Sequence, residues 1–299
     1  MIKTKSFLIG LTLAAMTAGM FFSREAEAYQ IKRILRPAAT IAMTTNEVVS
    51  FDFEDPNGDL NTADSLMNGQ YFDVSKTLVL ATISSTTTAP TNNYVMAILD
   101  DDHTVSFARY GATTGVSIEL MAVEFTSGVT VTSGISVFSD TTTGTSGRIK
   151  TITIPTIDPA KTFAVISWKA YTGSSATIDN AYLFEAYFSA SNKLKIERSR
   201  VRSGYRADVY YQVVSFDENV SVQSGSTAIT GNNASTTVNL NGGTVCKNPA
   251  NLGGALIACS TVAIDHSILF MSFRAGVSTG DSGQEDYWPD GILTGTGNT

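Results

Sequence analysis

Residues 72–84 read FDVSKTLVLATIS, and residues 157–170 read IDPAKTFAVISWKA. A third segment of the same character, IDHSILFMSFRA, begins at Ile264. Each segment has an apolar residue, then an aspartate, then an apolar run; the aspartates are Asp73, Asp158 and Asp265. The first two aspartates are 85 residues apart, and the next two are 107 apart. A phrase that recurs at this spacing predicts tandem structural repeats.

The segments that follow the first two phrases also correspond. TVSFAR at 104–109 matches KLKIER at 193–198, which aligns Arg109 with Arg198. IELMAVEFTSGVTVTSG at 118–134 matches DVYYQVVSFDENVSVQSG at 208–225. A whole unit is therefore repeated, and not only one strand.

The repeats divide the chain into five predicted segments. They are a signal peptide at 1–28, an N-terminal partial repeat at 29–72, a β-sandwich repeat at 73–157, a second repeat with a cysteine-containing insertion at 158–264, and the truncated start of a third at 265–299. We expect the chain to be part of a longer protein, because one strand and a loop cannot bury a face alone. The alternative is that the last segment is a cap. A strand from one repeat could also complete the next, so repeat and domain boundaries need not coincide.

Period-two alternation predicts half-buried strands throughout the repeats. In VSIELMAVEF, Val116, Ile118, Leu120 and Ala122 should face one side of a sheet. No segment after residue 28 shows a helical period with caps. Short alternating strands joined by Gly, Ser, Thr and Asn turns predict an all-β fold of tandem β-sandwich repeats, arranged one after another like beads.

This combination of strands, turns and repeated phrases resembles the tandem immunoglobulin-like or fibronectin-like β-sandwich repeats of exported bacterial surface proteins of the adhesin type, and of phage tail proteins. The resemblance covers most of the chain after residue 28. It implies the fold, and it carries no catalytic or ligand-binding residue over to this sequence.

The first 28 residues have the three zones of a secretory signal. Lys3 and Lys5 precede an apolar run from Phe7 to Phe22, and SREAEA ends in small residues that fit cleavage before Tyr29. The alternative is a retained anchor, but the run is shorter than the roughly 20 residues that span a bilayer. No later run is long enough either. We therefore predict a secreted protein, extracellular or at the cell surface, with no retained membrane span.

Composition and charge limit the classes of function. The net charge of −7 argues against nucleic acid as a partner, since nucleic-acid binding needs a basic surface. Apolar residues make up 43% of the chain and charged residues 16%, which favours folded domains over disorder.

Cys246 and Cys259 are the two cysteines of the chain. In an exported protein an even number of cysteines predicts a disulfide, here closing a loop within the insertion of the second repeat. The alternative is two buried free thiols.

The sequence carries no recognisable catalytic motif. Its two histidines, His103 and His266, lie in different repeats, and no G-x-S-x-G, zinc spacing, phosphate loop or dinucleotide fingerprint occurs. We therefore predict that the protein is not an enzyme and that it needs no cofactor, with calcium as the one open candidate.

Two acidic turns are the candidate calcium sites. The first turn consists of Asp55, Asn57, Asp59 and Asn61, and the second of Asp100, Asp101 and Asp102. The first turn resembles the start of an EF-hand loop, but Leu60 and Leu66 stand where that loop needs Gly and Glu. The alternative is that both turns are simply solvated.

Two further features suggest contacts with polymers. A basic hairpin in the second repeat could bind an anionic glycan, or it could be an edge strand charged to prevent aggregation. Its residues are Lys193, Lys195, Arg198, Arg200, Arg202 and Arg206. Trp288 lies beside a turn, where an exposed ring could stack on a sugar.

The leading functional hypothesis is an exported structural or adhesive repeat protein, acting as a spacer or as a weak multivalent binding module. Its partners would be glycans or other surface polymers. The alternatives are the non-catalytic, carbohydrate-binding region of a larger secreted enzyme and a phage tail fibre component.

Overall fold

The computed structural model describes residues 31–43, 48–56, 65–85, 94–110, 115–139, 147–171, 182–199, 201, 204–217, 220–224, 246–247 and 256–257. These residues form an all-β protein with several small antiparallel sheets. The predicted fold class is therefore confirmed at the level of all-β structure. The predicted signal peptide and the predicted start of a third repeat lie outside the described residues.

The first pair of sheets lies between residues 31 and 125. Sheet A has β7 (Val116–Phe125) at its centre, with β4 (Thr77–Ser85) along one edge of that strand. A strand has two edges, so β1 (Ile31–Leu35) and β2 (Ile41–Met43), which also pair with β7, share the other edge. In sheet B, β6 (Thr104–Ala108) lies between β3 (Val48–Asp52) and β5 (Met96–Leu99).

The second pair of sheets lies between residues 129 and 216. Sheet C has β13 (Ala207–Phe216) between β8 (Val129–Phe138) and β10 (Thr162–Ala170). Sheet D has β12 (Lys193–Arg198) between β9 (Ile149–Thr153) and β11 (Phe184–Ala190). The strand order is thus the same in both pairs, with β8 in the position that β1 and β2 share in sheet A.

The strands that complete each pair come from the preceding stretch of sequence. β1, β2 and β3 belong to the predicted partial repeat at 29–72, but they pair with strands of the predicted repeat at 73–157. β8 and β9 belong to that repeat, but they pair with β13 and β12 of the next one. The boundaries at 73 and 158 stay predictions of sequence units, and they do not separate the groups of paired strands.

Each sheet pair encloses an apolar core. The core between sheets A and B includes Val116, Ile118, Leu120 and Ala122, so the predicted common face of β7 is confirmed. The core between sheets C and D includes the alternating positions of β11 and β12. These are Phe184, Phe188, Leu194 and Ile196, with Ala186 and Trp168 packed against them.

A third apolar cluster lies between sheets A and C. It contains Val123 and Phe125 of β7 and their counterparts in β13, Val214 and Phe216. Tyr94 of the first pair also reaches into the core of the second, where its ring lies 5.5 Å from that of Trp168. The two sheet pairs therefore share an apolar interface, because the outer face of the central strand in each pair is apolar and needs cover.

The repeated aspartate begins a hydrogen-bonded turn before β4. Asp73 caps a single 3-10 turn at Val74–Lys76, and Thr77 Oγ1 donates to its carbonyl oxygen (2.8 Å). Lys76 Nζ donates to the carbonyl oxygen of Thr126 (3.1 Å), directly after β7. The hydrogen bond from the Ser75 hydroxyl lowers the pKa of Asp73.

The same turn precedes β10. Thr162 Oγ1 donates to the carbonyl oxygen of Asp158 (2.7 Å), and Lys161 Nζ donates to that of Asp217 (2.7 Å), directly after β13. The recurrent phrase therefore has a physical reason. The Asp-x-x-Lys-Thr pattern joins the start of one strand to the end of its neighbour and satisfies backbone carbonyls that would otherwise lack partners.

The matched arginines, Arg109 and Arg198, are both fully buried. Arg109 Nη2 donates to the carbonyl oxygen of Met43 (3.1 Å) at the end of β2, and burial lowers its pKa. Arg198 donates to three carbonyl oxygens, those of Gly147 (2.8 Å), Tyr205 (2.8 Å) and Ser139 (3.3 Å). Both arginines therefore fix the end of the strand that the preceding sequence unit supplies.

A pair of antiparallel strands, each two residues long, lies in the insertion of the second repeat. Here β14 (Cys246–Lys247) pairs with β15 (Leu256–Ile257), with Cys246 opposite Ile257. Cys259 lies outside the described residues, so the Cys246–Cys259 disulfide stays a prediction. Within the part of the chain that the structure describes, no helix is long and apolar enough to cross a membrane.

Candidate functional site

The acidic turn Asp100–His103 joins β5 to β6, as the sequence predicts. One carboxylate oxygen of Asp101 accepts the backbone N–H groups of His103 (3.0 Å) and Thr104 (2.7 Å). Burial alone would raise the pKa of Asp101, but these N–H groups outweigh it and hold the pKa below its usual value. Asp101 therefore already has a structural role in shaping the turn.

His103 is the chemically distinctive group of this turn. Its Nδ1 lies 2.7 Å from a carboxylate oxygen of Asp102 and 3.4 Å from one of Asp101. The hydrogen bond to Asp102 raises the pKa of His103 above its usual value. The ring also lies 5.5 Å from that of Tyr71, whose hydroxyl donates to Glu54.

The structure brings Asp55, the one described residue of the first predicted calcium segment, to the same end of the first sheet pair as the acidic turn. The N–H of Phe53 donates to the carbonyl oxygen of His103 (2.9 Å), and the N–H of Phe72 donates to that of Asp102 (2.7 Å). Asp55 follows two residues after Phe53 and is partly buried. The other predicted ligands of the first segment, Asn57, Asp59 and Asn61, lie outside the described residues.

This arrangement can hold a cation only in a limited way. The ligand atoms of Asp101, Asp102 and His103 lie within 4.8 Å of one another. Calcium takes six to eight oxygen ligands, whereas one of these three ligands is a nitrogen and Asp101 is engaged by the turn. Calcium binding here stays a prediction, and the acidic turn is in any case built by its own hydrogen bonds.

The basic hairpin does not form a continuous ridge. Lys193 and Lys195 are partly exposed on β12, and Arg206 is exposed beside β13. Arg198 is fully buried against backbone carbonyls, so it is not available to a polymer. Alternation explains this placement, because Arg198 continues the inward face that Leu194 and Ile196 occupy. Arg200 and Arg202 lie outside the described residues, as does Trp288.

Arg206 belongs instead to a group that sequence reasoning missed, which we call the Tyr171 cluster: Tyr110, Lys169, Tyr171, Arg206 and Asp208. The guanidinium of Arg206 lies 4.3 Å from the centre of the Tyr171 ring, and the Lys169 ammonium lies 4.7 Å from it. The Tyr171 hydroxyl donates to Asp208. Tyr110, which is 37% exposed, lies 5.9 Å away, ring centre to ring centre.

The Tyr171 cluster lies where the two sheet pairs meet. Tyr110 follows β6 of the first pair, whereas Tyr171 follows β10 of the second. Little in the sequence indicates the Tyr171 cluster, because Tyr110 and Tyr171 are 61 positions apart. Aromatic faces next to cations suit ligands that combine an apolar ring face with negative charge.

A cavity of about 400 Å³ also lies between sheets A and C. Two polar side chains of its lining, Gln212 and Ser167, have partners in the protein. Gln212 accepts the N–H of Val79 (3.1 Å) and donates to the carbonyl oxygen of Thr77 (3.3 Å). Ser167 accepts the N–H of Ala97 (3.0 Å). These groups join the two sheet pairs.

Comparison of the chain with protein-family models, with curated proteins and with solved structures finds no match. The fold and the local geometry therefore carry the functional reasoning.

Proposed function

We propose that this is an exported structural or adhesive protein of tandem β-sandwich repeats of the immunoglobulin-like type, acting as a spacer or as a weak multivalent binding module. The observation that carries this proposal is the role of the polar residues that occur at corresponding positions in both sheet pairs. The Asp-x-x-Lys-Thr turns and the buried arginines bind backbone carbonyls of their own chain. The polar residues that the two copies share therefore stabilise the β-sheet framework, which is what a spacer requires.

The Tyr171 cluster supports the adhesive form of the proposal. An acidic glycan presents sugar ring faces for Tyr110 and carboxylate or sulfate groups for Lys169 and Arg206. A single site of this size would bind weakly, but a surface that displays many copies gains affinity through avidity. The cluster takes residues from both sheet pairs, and their shared apolar interface would hold these residues at fixed positions.

A glycan array with the purified chain from Tyr29 onward tests the adhesive role. We expect binding to acidic glycans that falls several-fold in Tyr110→Ala. The matched control is Tyr71→Ala, because Tyr71 is also an exposed tyrosine (46%), hydrogen-bonds to Glu54 and does not belong to the Tyr171 cluster. A blank array and a blank cell-binding assay would leave the spacer role alone.

The same cluster favours a second candidate, a carbohydrate-binding accessory region of a larger secreted enzyme. An accessory region recognises the substrate of its enzyme, so it should bind an insoluble polysaccharide and not a cell surface. A pull-down with insoluble polysaccharides, with Tyr110→Ala as the comparison, distinguishes this candidate from an adhesin. Polysaccharide binding that falls in Tyr110→Ala, by a chain that does not bind cells, would favour the accessory role.

A further inference from the structure

The edge of β7 where β1 and β2 pair in sheet A is equivalent to the edge of β13 where β8 pairs in sheet C. We call each of them a donor slot, because a strand from the preceding sequence unit fills it. β8 fills the slot of sheet C with ten consecutive pairs, from Val129 opposite Phe216 to Phe138 opposite Ala207. β1 and β2 fill the slot of sheet A with four and three pairs, and the register shifts between Ile31 and Arg33. Two short strands therefore occupy a slot that can hold one long strand.

Charge holds β1 in its slot. Lys32 Nζ lies 3.0 Å and Arg33 Nε 2.7 Å from the carboxylate oxygens of the buried Glu124. On the outer face, Ile31 and Ile34 are 50% and 47% exposed. Their counterparts by register are two residues of β8, Val129 at 3% and Val131 at 6% exposure. β1 thus buries much less apolar surface than β8 does.

The chain carries a second copy of the β8 sequence. Residues 129–138 read VTVTSGISVF, and residues 220–229 read VSVQSGSTAI. Both begin with Val-x-Val and continue to Ser-Gly at the fifth and sixth positions. The tenth residue is apolar in both segments, Phe138 in one and Ile229 in the other. The sequence pattern that suits a donor slot therefore occurs again after β13.

The hydrogen bonds that precede residues 220–229 also correspond to those that precede β8. β8 begins after a turn in which Lys76 binds the carbonyl of Thr126, and 220–229 begins after the equivalent bond from Lys161 to Asp217. The first residues of β8 contact the turn before β4. In the same way, the N–H of Val222 donates to the carbonyl oxygen of Ala160 (2.7 Å) in the turn before β10.

We propose that the donor slot beside β7 accepts residues 220–229 of a second copy of this chain in place of β1 and β2. In the exchanged pair, Val220 lies opposite Phe125 and Val222 opposite Val123, the register that β8 shows on β13. The incoming strand offers the same antiparallel ladder to β7, so β7 keeps backbone partners along this edge. Copies that join in this way associate head to tail, which permits open chains. This inference goes beyond the proposed function and does not depend on glycan binding.

Binding of a synthetic peptide to the chain from Tyr29 onward tests the proposal. The probe is a fluorescent peptide of residues 220–229, and the control peptide carries Val220→Asp and Val222→Asp. Arg33→Glu should loosen β1, because it places a second carboxylate beside Glu124, and peptide binding should rise several-fold. The matched control is Arg36→Glu, since Arg36 lies just after β1 and outside the ladder. Equal binding to both variants, or equal binding of both peptides, would overturn the proposal.

A second variant keeps the test decisive if β1 stays in place in Arg33→Glu. Removal of residues 29–43 empties the slot, and the peptide of 220–229 should then bind and restore β-sheet circular dichroism. Light scattering should show that the shortened chain also self-associates, and that Val220→Asp with Val222→Asp abolishes this association. A shortened chain that responds to a peptide of 31–43 but not to that of 220–229, or to neither, would contradict strand exchange.

Discussion

Arg198 offers the sharpest test of the repeated framework. Replacement by Met keeps a long side chain in the core but removes the donors to three backbone carbonyls, at 2.8, 2.8 and 3.3 Å. A buried acceptor that loses its donor costs about 1–3 kcal/mol. Relief of the desolvation of the guanidinium offsets part of this cost. We therefore expect Arg198→Met to lower the free energy of unfolding by about 3 kcal/mol.

The assay is equilibrium unfolding in urea, followed by circular dichroism. Lys195→Met is the matched control, because Lys195 lies three residues earlier on the same strand and is partly exposed. A surface change of this kind shifts stability by about 0.5 kcal/mol or less. If the two variants have equal stability, Arg198 does not support the strand ends around it, and the structural role of the matched arginines is refuted.

Three further predictions follow from named contacts. A Cβ at Gly134 would lie 2.5 Å from the Tyr211 hydroxyl oxygen. Thermal melting should therefore show that Gly134→Ala is destabilised by about 1–3 kcal/mol. Gly115→Ala is the control and should change the stability little, because a Cβ at Gly115 meets open space. Gln212→Met should cost about 1–3 kcal/mol in urea unfolding, because the N–H of Val79 and the carbonyl of Thr77 lose their partner across the sheet pairs; an unchanged midpoint would contradict that role. The pKa of His103 is raised in the folded state. The ion pair of His103 with Asp102 therefore contributes fully to the free energy of unfolding below the usual pKa of 6.5, and this contribution is lost as the pH rises through the folded-state pKa. The stability difference between the parent chain and His103→Gln should therefore shrink as the pH rises above 6.5, and a difference independent of pH would refute the ion pair with Asp102.

The sequence predicts local structure well where alternation is regular. The inward face of β7 follows from period-two spacing, which a half-buried strand imposes on any sequence. The hairpin tip at Asp100–Asp102 and the match of Arg109 with Arg198 are also confirmed as structural correspondences. These features depend on residues close in sequence or on direct comparison of the two copies.

Pairing between distant strands could not be predicted in this way. β7 and β8 are separated by Thr126, Ser127 and Gly128, and Gly128 has a positive φ of 68°. A three-residue connection with such a glycine is typical of a hairpin. Instead, β7 remains in sheet A and β8 crosses to sheet C. Local turn chemistry permits both outcomes, and the apolar surfaces of Val129 and Val131, which are buried between the sheets, select the second.

The Tyr171 cluster was missed for a related reason. Its members alternate with core residues at the ends of β10 and β13, where the pattern gives no sign that Tyr110 will lie near Tyr171. The basic hairpin was predicted from charge alone, and charge does not distinguish the exposed Arg206 from the buried Arg198. Alternation with Leu194 and Ile196 places Arg198 on the inward face of β12, and the carbonyls around it satisfy its donors there.

The central claim is that β8 leaves the sequence unit in which it arises and completes the next sheet. Cross-strand proton contacts in an NMR spectrum of the isotope-labelled chain test this directly. We predict contacts between β8 and β13, such as Val131 with Val214 and Gly134 with Tyr211, which face each other in the ladder. Contacts between β8 and β7, in the register of an ordinary hairpin around Gly128, would contradict the claim.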